Sequence, residues 1–451
     1  MESNNKMSLT MKVVIGMGLG IVIGLFFNLS GLNSDGGFVN TYLVNGVFHV
    51  IGKMFVNALK MLVVPLVFFS LICGVCGIGN LQTLGRVGSK SFALYMLTTA
   101  IAITIAITVA VSAGIGEGMN LAGTANFTAK EAPPLVDVFI SIIPSNPVKA
   151  MANGDMLPLI FFSILIGISM LMVGKKAKSF IEGAEIANEI MMKMVTIVMA
   201  AAPYAVFALI AKSMANLGMD LLAQLAGYVL VLVGSLLLHL FVTLMLVLKL
   251  FSGLSPKMFL NKIRSAQVFA FSTASSNATI PVTLRAVTER MGVNNSVASF
   301  TVPFGATINM DGTAIMQGVA TVFIANIYSA DLGTAQYLTV ILMSVLASIG
   351  TAGVPGVGLI MLSMVFAQVG LPVEGIGLIL GVDRLMDMIR TAVNVSGDAV
   401  VSTIVAKSEN KLDLAVYNNA DAGIVTNDDL YVDQRVEQEL AGVIEDTHNK
   451  L

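Results

Sequence analysis

Five charged residues, Asp383, Arg384, Asp387, Arg390 and Asp398, fall within residues 381–398, between the apolar runs GIGLIL and AVVSTIVAK. Flanks of that kind place the segment in a membrane, where one charge at the centre of a helix costs roughly 3 kcal/mol on insertion scales. Set out at about 100° per residue, Asp383, Asp387, Arg390, Thr391, Asn394 and Asp398 share an arc of roughly 100°. Arg384 stands at its edge, and Leu385, Ile389 and Ala392 cover the opposite side. A polar stripe on a lipid-compatible helix faces something polar. That is either a substrate or, in the plainer reading, an ion-pair network that only locks helices together. Ionisable residues inside a membrane mark functional sites by default, which favours the first.

A second polar cluster lies in TINMDGTAIMQG, residues 307–318, where Asn309, Asp311, Gly312 and Thr313 interrupt an apolar helix. Gly312 and its neighbours predict an unwound turn. Free backbone carbonyls beside a carboxylate suit a hard cation such as sodium; the alternative is a kinked helix with a satisfied aspartate. The remaining chemistry-bearing residues point nowhere. Cys73 and Cys76 form C-x-x-C inside FFSLICGVCG, where a redox motif would want a soluble βαβ setting. His49, His239 and His448 are far apart and lack metal-ligand spacing. With no nucleophile–base pair or cofactor fingerprint in sight, neither an enzyme nor a resident cofactor is expected.

The elements that must position these residues are membrane helices. Of 451 residues, 56% are hydrophobic and only 12% charged, against about 25% charged in a soluble protein. The net charge of −2 gives no reason to expect nucleic acid. An all-α polytopic membrane protein follows, with the lipid bilayer as solvent. Residues 266–284 (AQVFAFSTASSNATIPVTL) and 344–362 (SVLASIGTAGVPGVGLIML) each carry a Ser/Thr/Ala/Gly cluster, then Pro281 or Pro355, with flanks too short to span alone. Helical hairpins that enter the bilayer half-way fit both; two Gly/Pro-kinked helices are the alternative. Basic residues at Arg86, Lys90, 175–178 and 249–264 set these loops inside, and both termini cytoplasmic, in the cell (plasma) membrane. Beyond Lys407 the tail is acidic and is expected to be loosely ordered.

The motifs FSTASSNATIPVT (271–283), INMDGT (308–313), SIGTAGVPGVG (348–358) and DxxxDxxRTxxNxxGD (383–398) resemble those of the dicarboxylate/amino acid:cation symporter family, which includes glutamate and aspartate transporters. The resemblance covers about residues 10–407. It implies eight transmembrane helices plus two re-entrant helical hairpins, assembled as a homotrimer. Residues 1–10 would be a cytoplasmic N-terminus. Scaffold helices would occupy 11–90 and 116–215. An elevator-type transport domain would comprise helix 3 (91–115) and residues 216–407. The latter holds helix 6, hairpin 1 (about 256–290), broken helix 7 (about 295–328), hairpin 2 (about 333–370) and helix 8 (about 374–407), ahead of the tail 408–451.

The resemblance also implies the site residues. Arg390 would bind the side-chain carboxylate of an acidic amino acid, since a guanidinium offers a planar fork to two oxygens. Asp387 would take the α-ammonium, Asn394 and Thr313 the α-carboxylate, and Thr391 would line the site. Ser275, Ser276, Val354 and Gly358, at the hairpin tips, would close over the ligand. Sodium would sit at Asp398 with carbonyls of Gly305, Asn309 and Asn394. A second sodium would use Thr307 with carbonyls of Ser348, Ile349 and Thr351, and a third Tyr95, Thr98, Thr99, Asn309 and Asp311. Related proton-coupled carriers have Asn where this chain has Asp398, which favours sodium. Many members carry an additional arginine where Ala274 or Met388 stands here, and Arg384 is placed to substitute for it. The expected activity is sodium-coupled uptake of glutamate or aspartate. The alternatives are proton coupling, another ligand (a C4-dicarboxylate, cystine or a neutral amino acid) or, remotely, an anion channel.

Overall fold

The computed structural model describes residues 9–76, 84–118, 140, 142–349, 351, 353 and 355–423. Among them all regular structure is helical, apart from one isolated bridge between Val293 and Leu412. Apolar surroundings demand this, because a helix satisfies its own backbone groups. Among the described residues, five stretches are long and apolar enough to cross a membrane: Met11–Leu29, Val39–Cys76, Arg86–Ser112, Pro158–Ala200 and Met219–Ser252.

The first helices are α1 (Leu9–Leu29), α2 (His49–Cys76, entered through π-helical Val39–Phe48) and α3 (Ser89–Ser112). Next come α4 (Pro147–Asn153), α5 (Met156–Val173), α6 (Lys178–Ala200) and α7 (Ala202–Leu217). Helix α1 lies along α7, and α2 packs on α5, α6 and α7. Glycines at i, i+4 and i+8 explain how close α1 and α7 come. A Cβ on Gly16, Gly20 or Gly24 would sit 2.5, 2.8 or 2.5 Å from a backbone oxygen of α7. Small residues of this kind let membrane helices meet backbone to backbone.

The second group is α8 (Met219–Leu238) and α9 (Leu244–Ser252), joined by a π turn at His239–Thr243, then α10 (Pro256–Thr273) and α11 (Ser276–Arg285). It continues with α12 (Asn295–Ile308), α13 (Asp311–Ile327), α14 (Thr334–Ser348), α15 (Val357–Gln368), α16 (Ile376–Ser408) and the short α17 (Leu414–Asn418). Helices α3, α8, α10, α12 and α13 surround α16. Every residue from Val393 to Ala406 is buried, and so is every residue of α13 except Asn326. Helices buried all round form the core of the second group.

Both interrupted segments turn back on themselves. Helix α10 ends at Ala274 in the left-handed region (φ 50), and the Ser275 hydroxyl caps α11 by accepting from Ala278 N. Helices α14 and α15 are joined through Gly356 at φ 87. The two tips meet, with Asn277 N and Ser275 Oγ donating to Gly353 O at 3.1 and 2.7 Å. Between α12 and α13 the chain unwinds over Asn309 (φ −110, ψ 95) and Met310 (φ −120, ψ 51).

The expectation of a loosely ordered tail fails over residues 409–423, which form a bridge and a short helix docked on α10 and the turn after α11; residues 424–451 lie outside the described residues. Lys262, counted above with the basic loop residues, is fully buried there. Burial beneath the segment removes it from the solvated charge it was taken for.

Candidate functional site

Helix α16 carries the centre of the site. Arg390 is fully buried, and its Nη2 donates to Asp387 Oδ1 at 2.9 Å and lies 2.9 Å from Asp383 Oδ1. Its Nε and Nη1 have no hydrogen-bond partner among the described residues. Unpaired donors on a buried charge are costly, so those two N–H groups suit an incoming acceptor. Opposite Nη1 stands Gly358, where a Cβ would come within 3.3 Å of both Nη1 and Thr313 Cγ2.

Asp387 accepts from the Gly356 amide as well (3.2 Å), and Arg384 Nη1 lies 3.7 Å from its Oδ2. Arg384 thus supports Asp387 from the preceding turn, while Asp383 supports Arg390 from two turns away. Thr391 Oγ1 donates to Asp387 O at 2.7 Å, and Asn394 Oδ1 accepts from Gly312 N at 2.7 Å. Ser276, Thr313, Gly358, Asp387, Thr391 and Asn394 line one cavity of about 10 Å³. That is room for about one water, so any larger ligand requires a wall to move. Ser275 is turned toward the other hairpin, as described above. Val354 lies outside the described residues.

Gly312 explains how α13 reaches α16. A Cβ there would be 2.6 Å from Arg390 O and 2.9 Å from Arg390 Cα. Gly312→Ala is therefore expected to push the first turn of α13 away from Arg390 and Asn394. Overpacking typically costs about 1–3 kcal/mol, and acidic ligands should bind roughly tenfold more weakly or worse. Isothermal titration of the variant checks this; unchanged affinity would mean that the close approach does not shape the site.

Behind this cavity the oxygens converge at two carboxylates. Asp398 Oδ1 accepts from Asn309 Nδ2 at 2.9 Å, and the same Nδ2 is 3.4 Å from Asn394 O. Asn309 Oδ1, fully buried, has no partner among the described residues. A Cβ on Gly305 would fall 2.4 Å from Asp398 Oδ1 and 2.6 Å from Tyr95 Oη, so only glycine leaves that space open. Tyr95 Oη itself donates to Thr301 O at 2.9 Å. Asp311 Oδ1 accepts from Thr99 Oγ1 (2.6 Å), with Thr98 Oγ1 at 3.4 Å. One carboxylate, an orphan amide oxygen and nearby carbonyls make a donor set for a hard, oxygen-seeking cation. Thr307 stands at the end of α12 with its hydroxyl donating to Phe304 O (2.8 Å). Ser348 Oγ donates to Ile308 O (3.1 Å) and brings the end of α14, with Ile349, against it, while Thr351 Oγ1 bonds back to Ala347 O.

Sequence reasoning missed His239. Its Nε2 lies 3.0 Å from Asp311 Oδ2, both side chains fully buried, at the π turn between α8 and α9. The available signal was a single histidine in the apolar run LLLHLF. Nothing near it in sequence gave it a partner.

Comparison with known proteins places helices α1 to α16 in one family. Residues 9–408 match the model of the sodium:dicarboxylate symporter family. The chain is 33% identical over 417 residues to a proton/sodium-glutamate symport protein of Geobacillus stearothermophilus, covering 90% of this chain and 96% of the relative. It is 34% identical over 422 residues to a proton/glutamate-aspartate symporter of Escherichia coli, covering 91% and 95%. A C4-dicarboxylate transport protein of Bacillus subtilis is 32% identical over 416 residues, covering 90% and 95%.

Proposed function

The chain belongs to the sodium:dicarboxylate symporter family, and from that premise we propose that it carries L-glutamate or L-aspartate into the cell together with sodium. The buried Arg390, with two donors unused and Asp387 at its side, carries this reading. The guanidinium matches a distal carboxylate and the aspartate an ammonium, so the pair reads both ends of an acidic amino acid. Sodium would occupy the oxygens around Asp398, with Asn394 shared between ion and substrate. Tyr95, Thr98, Thr99, Asn309 and Asp311 would hold another ion, and Thr307 with the end of α14 a third.

In this reading α1, α2 and α5–α7 form the scaffold of a homotrimer. Helices α3 and α8–α16 form the domain that moves across the bilayer. The eight spanning helices are supplemented by the α10–α11 and α14–α15 hairpins as re-entrant elements. Since the cavity is about the size of one water, a hairpin opens to admit substrate and closes behind it. Both termini lie on the cytoplasmic side of the plasma membrane.

Purified protein in liposomes should accumulate labelled aspartate only under an inward sodium gradient. Uptake that ignores sodium and follows a proton gradient would overturn the cation assignment. One relative carries C4-dicarboxylates by name, and competition separates that alternative. A carrier using Asp387 for an ammonium prefers aspartate over succinate; the reverse order would assign the site to dicarboxylates.

A further inference from the structure

Helix α16 meets the first helices along α1 and α7. Glycines close this seam. A Cβ on Gly377 of α16 would lie 3.0 Å from Leu209 Cδ2 of α7, and a Cβ on Gly52 of α2 would overlap the same methyl group. Farther along α16, a Cβ on Gly381 would come within 3.1 Å of Met17 Sδ and 3.4 Å of Ile210 Cδ1. These contacts are apolar, and small residues make them possible.

Charge crosses the seam at one point. Lys53 and Lys60 stand about two turns apart on α2, and both face Glu374 in the turn Val373–Gly375 that leads into α16. Lys53 Nζ lies 2.6 Å from Glu374 Oε1, and Lys60 Nζ 3.5 Å from the same oxygen. Among the described residues, these are the ion pairs that join α1, α2 and α4–α7 to the other helices; the rest stay on one side. On its own side Glu374 has no cationic partner among the described residues, so its charge is answered only while α16 sits against α2. An interaction present in one arrangement and absent from another shifts the balance between them.

The pair is also built to open. A polar cavity of about 640 Å³ lies beside it, lined by Asp35, Lys53, Lys212, Tyr328 and Glu374 among others. The side chains of Lys53 and Glu374 are 42% and 43% exposed. Charges already in contact with water part without the penalty that a buried pair would incur. We propose that Glu374, with Lys53 and Lys60, is an electrostatic latch that holds α16 and the helices around it in this position against α2, and releases them when the pair opens to water. The proposal rests on the reading of α1, α2 and α5–α7 as scaffold and of α3 and α8–α16 as the moving domain.

Cross-linking of the full-length protein in liposomes tests it. Met17→Cys with Gly381→Cys, in a Cys73→Ala/Cys76→Ala background, sets two thiols across the seam, where mercuric ion bridges them only while the seam is closed. At limiting mercury the bridging rate follows the closed population. Adding Glu374→Gln should lower that rate about three- to tenfold, the range expected for the loss of exposed ion pairs. Lys53→Gln should lower it less, because Lys60 remains. The exchanged pair, Lys53→Glu with Glu374→Lys, should restore it. An unchanged rate in Glu374→Gln, or a drop that the exchanged pair does not reverse, would overturn the latch. Uptake of labelled aspartate by the bridged protein tests the underlying reading separately. Bridging should arrest uptake. Full uptake after complete bridging would mean that the two sides need not separate, and the moving-domain reading fails with the latch. Arrested uptake with a bridging rate indifferent to Glu374 removes the latch alone.

Discussion

Arg390→Ala should lower the affinity for aspartate and glutamate by at least about 30-fold, since truncating one partner of a buried, hydrogen-bonded charge pair costs about 2–5 kcal/mol. The size follows from where the guanidinium sits. It is fully buried, and its Nη2 already serves Asp387 and Asp383. Only Nε and Nη1 remain for a ligand. Removing the side chain therefore deletes the ligand's counter-charge, takes from Asp383 the guanidinium 2.9 Å away, and leaves Asp387 with Arg384 alone, at 3.7 Å. Arg390→Lys separates these effects. A lysine restores one positive charge near Asp387 but offers no planar fork. It should recover stability more fully than it recovers affinity. Ligand-induced thermal stabilisation in sodium reads both quantities on one sample. Wild-type aspartate affinity in Arg390→Ala would remove Arg390 from the substrate site.

The same residues show what a sequence reveals and what it hides. The stripe on α16 was legible because helical periodicity places Asp387, Arg390, Asn394 and Asp398 on one face whatever the fold around them. The break at Asn309–Met310 and the turn at Ala274–Ser275 were legible because Asn, Gly and Ser clusters interrupt apolar runs where a regular helix has no use for them. The side chains that hold the site in place were not. Asp383 reaches Arg390 across two helical turns, and pairing it with its sequence neighbour Arg384 was equally natural. His239 meets Asp311 from 72 positions away. Lys262 looked like an ordinary basic residue at a membrane edge, and its acceptors lie 28 and 154 positions distant. A single sequence records that such a group exists; which carbonyl or carboxylate answers it is decided by tertiary packing.

The cation site makes the second large prediction. Asp398→Asn keeps the shape of the side chain, and an amide oxygen there can still accept from Asn309 Nδ2, so the fold should survive. What disappears is a formal negative charge in a place 1% exposed to solvent. A unit charge acting at about 4 Å in an effective dielectric of about 20 is worth about 4 kcal/mol. Even a third of that raises the sodium concentration for half-maximal aspartate binding roughly tenfold. The effect should be selective. Asn394 touches both halves of the site, its side chain at the substrate cavity and its carbonyl 3.4 Å from Asn309 Nδ2. Sodium and aspartate are then coupled, and each strengthens the other by the same factor. Saturating sodium should accordingly restore most of the aspartate affinity in Asp398→Asn, which it cannot do for Arg390→Ala. Sodium titrations of aspartate binding in the two variants, run side by side, measure this contrast. An unshifted sodium dependence in Asp398→Asn, together with loss of uptake driven by a proton gradient, would make Asp398 a proton carrier rather than a sodium ligand.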